Sequence, residues 1–175
     1  MSGRQCKDSV LALYPFSRGL AFVFFEGPLS PVDWAVKEVR GAQKNARSLE
    51  MAKRLIGRLQ PDVVVLDDRA GRRSQRIRRL QRLIASHAEG QVIEVQRFTR
   101  REIRQCFGTL GASTRYEIAQ VIASRIDAFS HRVPPVRKIW KSEAPRMKLF
   151  DAASLAMTFY CRCRGPLDSL EEPAP

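Results

Sequence analysis

The chain has 175 residues, enough for one domain with a substantial core, and 44% of them are apolar, an ordinary share for a globular protein. Against 18 Asp and Glu stand 31 Lys and Arg, leaving a net charge of +13 and a pI near 10.5, a field that attracts polyanions, nucleic acid first among them. No apolar run is long enough to span a bilayer and no secretory leader pattern opens the chain, so a membrane role is excluded and a reducing cytoplasm is the expected compartment.

Val10 to Tyr14 and Leu20 to Glu26 read as two apolar strands joined by a Pro/Ser/Gly corner. A turn cluster, Gly27 to Pro31, leads into Val32 to Val39, whose alternation of apolar and polar residues predicts a third, partly exposed strand. Ala46 to Leu59 places Leu49, Ala52, Leu55, Ile56 and Leu59 on one helical face, and Gln60-Pro61 stops it. Val63 to Leu66 is a short, wholly apolar run of the kind found in buried parallel strands, ending at Asp67 and Asp68.

Ser74 to Ser86 predicts a second helix, with Ile77, Leu80, Leu83 and Ile84 inward and an arginine-rich remainder. Val92 to Val95 is a fifth strand. Thr99 caps a short helix to Cys106, with Glu102 three residues on, as in a capping box. A helix over Ser113–Phe129 follows, then a basic, Pro-rich loop from His131 to Pro145, then a helix from Leu149 to Cys161 with Asp151 at its start, where Asp is also favoured as a cap. Residues 165–175 read as a polar, disordered tail, leaving 1–164 as a single domain. Three meander strands followed by alternating helix and strand predict an α/β fold: a five-stranded mixed sheet, antiparallel meander plus two parallel strands, flanked by helices.

Cys6, Cys106, Cys161 and Cys163 lack paired C-x-x-C spacing, so no structural zinc site is expected. The arginines are more telling. On the second helix Arg72, Arg76 and Arg79 recur at helical spacing and can follow a phosphate backbone together. Arg101, Arg104 and Arg115 form a further basic cluster, and Lys138 lies near Trp140, a residue able to stack on a base or to anchor the loop in the core.

Four segments, taken in order, resemble the RuvC family of Holliday-junction resolvases, members of the RNase H-like superfamily. Leu11-Ala-Leu-Tyr14-Pro-Phe-Ser17-Arg18-Gly19 is similar to that family's first-strand motif. Gln60 to Asp67 is similar to its fourth strand. Arg101 to Gly108, followed by Ala112-Ser-Thr-Arg115, resembles its basic stretch, with Arg104 and Arg115 where the family usually has Lys. Asp151-Ala-Ala-Ser154 resembles its closing helix.

The resemblance implies an RNase H-like domain, a homodimer, branched DNA as the partner, and Mg²⁺ or Mn²⁺ held by four acids. Only Asp67 and Asp151 match acidic family positions; Tyr14 and Ser154 stand where the other two acids belong. Two-metal hydrolysis uses ions about 3.5–4 Å apart, bridged by carboxylates. A phenol that ionises near pH ~10 does not replace one. Asp67 and Asp151 are the metal and catalytic candidates, with Asp68 beside Asp67 as a weaker one and Glu143 and Glu26 weaker still. Three readings follow: a structured-DNA binder with lost or weakened nuclease activity, an active junction endonuclease with a rearranged carboxylate site, or an interaction subunit of a nucleic-acid assembly.

Overall fold

The computed structural model describes residues 7–68, 75–136, 138 and 140–170. Strands β1 (Val10–Phe16), β2 (Gly19–Phe25) and β3 (Pro31–Glu38) form an antiparallel meander, and β4 (Val63–Asp68) and β5 (Glu94–Thr99) join in parallel. The order across the sheet is β3-β2-β1-β4-β5, the five-stranded mixed sheet expected. β1 and β2 are buried along their whole length because helices cover both faces, which is why they read as unbroken apolar runs.

Alternation along the strands sorts the core into two layers. Leu11, Leu13, Phe22, Val64 and Leu66 pack under α1 (Lys44–Leu59) and α2 (Gln75–Gly90). Ala12, Tyr14, Val23, Val63 and Val65 pack under α3 (Arg100–Gly108), α4 (Arg115–Arg125) and α5 (Met147–Arg164). α5 is nearly all buried; Ala152, Ala153 and Ala156 are small enough to let it lie close to the strands. Phe129 bridges Phe150 of this helix to Trp34 of β3, both edge to face, with ring centroids 6.2 and 5.1 Å apart.

The β1–β2 hairpin turns in two exposed residues, Ser17 and Arg18. A side chain at Gly19 would put its Cβ 1.9 Å from the Lys37 carbonyl oxygen, so only glycine lets β3 close on the hairpin. Thr99 and Glu102 form the expected capping box on α3, and Thr114 with Glu117 forms a second on α4.

Several elements differ from expectation. The fifth strand begins at Glu94, two residues late, because Val92 closes the preceding turn at φ 61° with its N–H on the Glu89 carbonyl, 94% exposed. Leu83 lies on the flank of α2 and is 42% exposed, since the buried stripe runs through Ile77, Leu80, Gln81, Ile84 and Ala88. The helix anticipated to Phe129 ends at Arg125. Ile126 is extended, and a separate turn over Asp127–Phe129 delivers Phe129 into the core. Residues 165–170 are packed rather than free: Leu167 and Leu170 return to the core, and Arg125 donates to the Leu167 carbonyl at 2.6 Å. Residues 171–175, and Arg72 with the rest of 69–74, lie outside the described residues.

Candidate functional site

Leu13 and Leu66 are register partners on the central parallel pair β1 and β4. The next residues on the same strands are Tyr14 and Asp67. They fall at the C-terminal ends of neighbouring strands, and alternation assigns both to the side covered by α5. α5 brings Asp151 to the same side. The helix begins at Met147, so Asp151 sits one turn inside it and caps nothing. Its carboxylate is turned to Arg115, the first residue of α4.

The Arg115 guanidinium forks between two acids. Nε donates to Asp151 Oδ1 at 2.9 Å, Nη2 pairs with Asp151 Oδ2, and Nη1 pairs with Glu143. Lys148 closes the cluster from α5, with Nζ 2.5 Å from Glu143 Oε2 and 4.0 Å from Asp151 Oδ2. The same ammonium lies 5.8 Å from the centroids of the Tyr14 and Phe16 rings, within cation–π range. All four charged side chains are 29% exposed or less. Two cations and two carboxylates leave the cluster neutral, which is the arrangement that lets charges sit partly out of water.

The electrostatics agree with the geometry. Burial works against the charge on Arg115, but the hydrogen bond and charge of Asp151, then Tyr14 and Glu143, raise its pKa further. Burial likewise opposes ionisation of Glu143, yet hydrogen bonding to Lys148 and the Arg115 charge hold it below the usual carboxylate range.

The remaining acids do not join the ion-paired cluster. Asp67 is 6% exposed, and the Gln81 amide of α2 donates to its Oδ1 at 2.6 Å and to its main-chain oxygen at 2.9 Å. β4 has not ended at Asp68, which is still paired with Thr99, so Asp68 faces opposite to Asp67 and is exposed. Glu26 follows Phe25, the partner of Val10, and so lies at the far end of β1 from Tyr14. Ser154 is one turn beyond Asp151, buried, with its hydroxyl donating to the Asp151 carbonyl at 2.8 Å.

This donor set does not fit a pair of divalent ions. Among the described residues no three His, Cys, Asp or Glu side chains converge as a metal would require. Both Asp151 oxygens and both Glu143 oxygens face protein cations, and a ring stands at position 14, where the sequence resemblance implies an acid.

The basic residues divide between the two sides. Arg101 and Arg104 are exposed on α3, on the α5 side, and Lys138 is exposed with its Nζ 5.8 Å from the Trp140 ring centroid. Trp140 is itself 77% exposed, so it is no core anchor. Arg76 and Arg79 are on the opposite side. Arg76 is engaged structurally: it donates to Asn45 Oδ1 at 2.7 Å and to the Ser17 carbonyl at 3.0 Å, tying α2 to α1 and to the hairpin. Gln81 and Lys148 were not legible as site residues. The signals were a polar residue inside the apolar stripe of α2, and the Lys148–Asp151 spacing of three.

No protein-family model matches the sequence, and no curated protein matches it. Solved structures do match. The Thermus thermophilus RuvC structure superposes with a TM-score of 0.64 at 16% identity, covering 88% of this chain and 95% of that one. T. thermophilus RuvC in complex with a Holliday junction substrate gives 0.65 at 15% identity, over 89% and 96% of the two chains. The yeast mitochondrial Holliday junction resolvase gives 0.59 at 12% identity, over 88% and 78%. At such identity the likeness is one of fold, and the chain has the RNase H-like fold of the RuvC structures.

Proposed function

We propose that this chain binds branched or structured DNA and does not cut it. The observation that carries the reading is the ion-paired cluster of Arg115, Lys148, Glu143 and Asp151 beside Tyr14. Hydrolysis by two metals needs open carboxylate oxygens that bridge the ions. Here the oxygens on α5 and its approach segment are committed to side-chain cations, and Asp67 is held by Gln81.

Binding is supported by the charge of +13, by exposed Arg101 and Arg104 on the same side as the cluster, and by the fold shared with a RuvC solved on a Holliday junction substrate. Phosphate contacts of this kind weaken steeply with salt. We take the binding unit to be a homodimer, because two equal surfaces match the two-fold symmetry of a four-way junction.

The test is gel-shift and cleavage on a synthetic four-way junction, a matched duplex and a single strand, with Mg²⁺ and then Mn²⁺. The junction is expected to be retained preferentially and to stay intact. Metal-dependent cleavage that disappears in Asp67→Asn or Asp151→Asn would overturn the reading in favour of a rearranged active site.

A further inference from the structure

The outer surface of the α1–α2 layer is basic in a way the candidate site does not explain. Arg47 and Arg54 are exposed seven residues apart on α1, and Arg79 and Arg82 are exposed three apart on α2. Such spacings put each pair on one helical face. The two helices pack side by side and start together, joined by the Arg76–Asn45 contacts. One acid, Glu50, stands between the arginines of α1; the other acid of the layer, Glu89, is at the far end of α2. None of Arg47, Arg54, Arg79 and Arg82 has an ion-pair partner within 4.0 Å among the described residues, unlike Arg58, which reaches Asp33.

This surface lies across the sheet from Tyr14, Arg115 and α3. Two helix layers, each about 10 Å thick, and the strands between them separate the two basic surfaces. A straight duplex resting on one cannot touch the other.

The chemistry selects the partner. Arginine presents a planar fork matched to phosphate oxygens. The apolar faces of α1 and α2 are turned inward and spent on the core, leaving Leu83 as the one large exposed hydrophobe of the two helices, so nothing here can insert into a lipid bilayer. A second copy of the chain docked by a two-fold axis along α2 would set Arg79 and Arg82 against their own equivalents.

The geometry points to the α1–α2 surface as a second phosphodiester-binding face, on which a separate nucleic-acid segment is held while another occupies the α5 side, so that one chain bridges two duplexes. The inference rests on the reading of this protein as a nucleic-acid binder and adds where the second strand of contacts lies.

The experiment mixes the full chain with a biotinylated duplex and a fluorescent duplex of unrelated sequence, and measures fluorescence retained on streptavidin beads. Three proteins are compared: the wild type, Arg54→Gln/Arg79→Gln/Arg82→Gln, and Arg101→Gln/Arg104→Gln. The wild type is expected to bridge. In the triple variant bridging should fall severalfold at moderate salt, to what the α5-side surfaces alone support, while binding of one duplex persists on the α5 side with an unchanged log K–log salt slope, because the three arginines do not touch it. Its urea midpoint should stay close to the wild type, since the three side chains are exposed and make no ion pair among the described residues. Bridging by the triple variant equal to that of the wild type would overturn the inference and leave the binding reading standing. No retention of either duplex by the wild type at low salt would overturn both.

Discussion

On the α5 side of the sheet, Arg115 and Lys148 are held between Glu143 and Asp151 in a neutral cluster 29% exposed or less, whereas on the α1–α2 side Arg54, Arg79 and Arg82 stand in solvent with no ion-pair partner within 4.0 Å among the described residues. Each of these cations adds one unit to the charge count behind the +13 of the chain, wherever it sits. They do different work. A half-buried cation between two carboxylates stabilises the fold and has little field left over for a ligand, while an exposed arginine contributes almost nothing to stability and projects its charge outward. Net charge identifies a class of partner; the partners of each charge decide which face can meet it.

The comparison is broken most directly by removing a cation from each side. Arg115→Ala leaves Asp151 and Glu143 facing each other with Lys148 alone, and should lower stability by about 2–3 kcal/mol, less than for a fully buried pair because the cluster is partly wet. Arg79→Ala should stay within about 0.5 kcal/mol of the wild type. Urea unfolding measures both, and equal losses would erase the distinction between the faces.

A smaller effect concerns metal affinity. Tyr14→Asp with Ser154→Asp places acids at the two positions where the resemblance implies them but leaves Arg115 and Lys148 on the Asp151 carboxylate. Calorimetric titration with Mn²⁺ should detect binding only after Arg115→Ala is added to the pair. Binding by the two-acid variant alone would show that the cations yield easily to a metal.

The smallest effect is in pH. The folded pKa of Glu143 lies below its ordinary value, so its contribution is complete above the unfolded pKa, about 4.3, and is lost as pH falls through the lowered folded value. Glu143→Gln should therefore flatten the acid limb of a stability–pH curve below about 4.3 and leave its shape near neutrality unchanged. An unchanged acid limb would mean that Lys148 and Arg115 do not favour the ionised form.

How much could be read in advance depends on how far each signal had to travel along the chain. Thr99 and Glu102 are three residues apart, and their capping box was plain in the sequence. Val63 to Leu66 was plain because a strand buried on both faces has no room for a polar residue. Val92 was misleading: its side chain suits a strand, but the turn after α2 needed a residue there in the left-handed region, and local geometry overrode propensity. The acids at Asp67 and Asp151 were visible, yet what they touch was not. Gln81 is fourteen residues from Asp67, Arg115 is thirty-six from Asp151, and Lys148 reaches Tyr14 only because α5 packs on β1. Whether an acid awaits a metal or answers a cation is a property of packing, invisible until the helices are placed.

The strand order carries a further consequence, in time rather than in space. β1, β2 and β3 are joined by short turns and can pair early, while β1 meets β4 only after the whole of α1 has been looped out between them. The cluster at Arg115 needs more still: β1, α4, the segment carrying Glu143, and α5, drawn from nearly the full length of the chain. Topology thus lets the meander organise first and leaves the ion-paired centre among the contacts expected to form last.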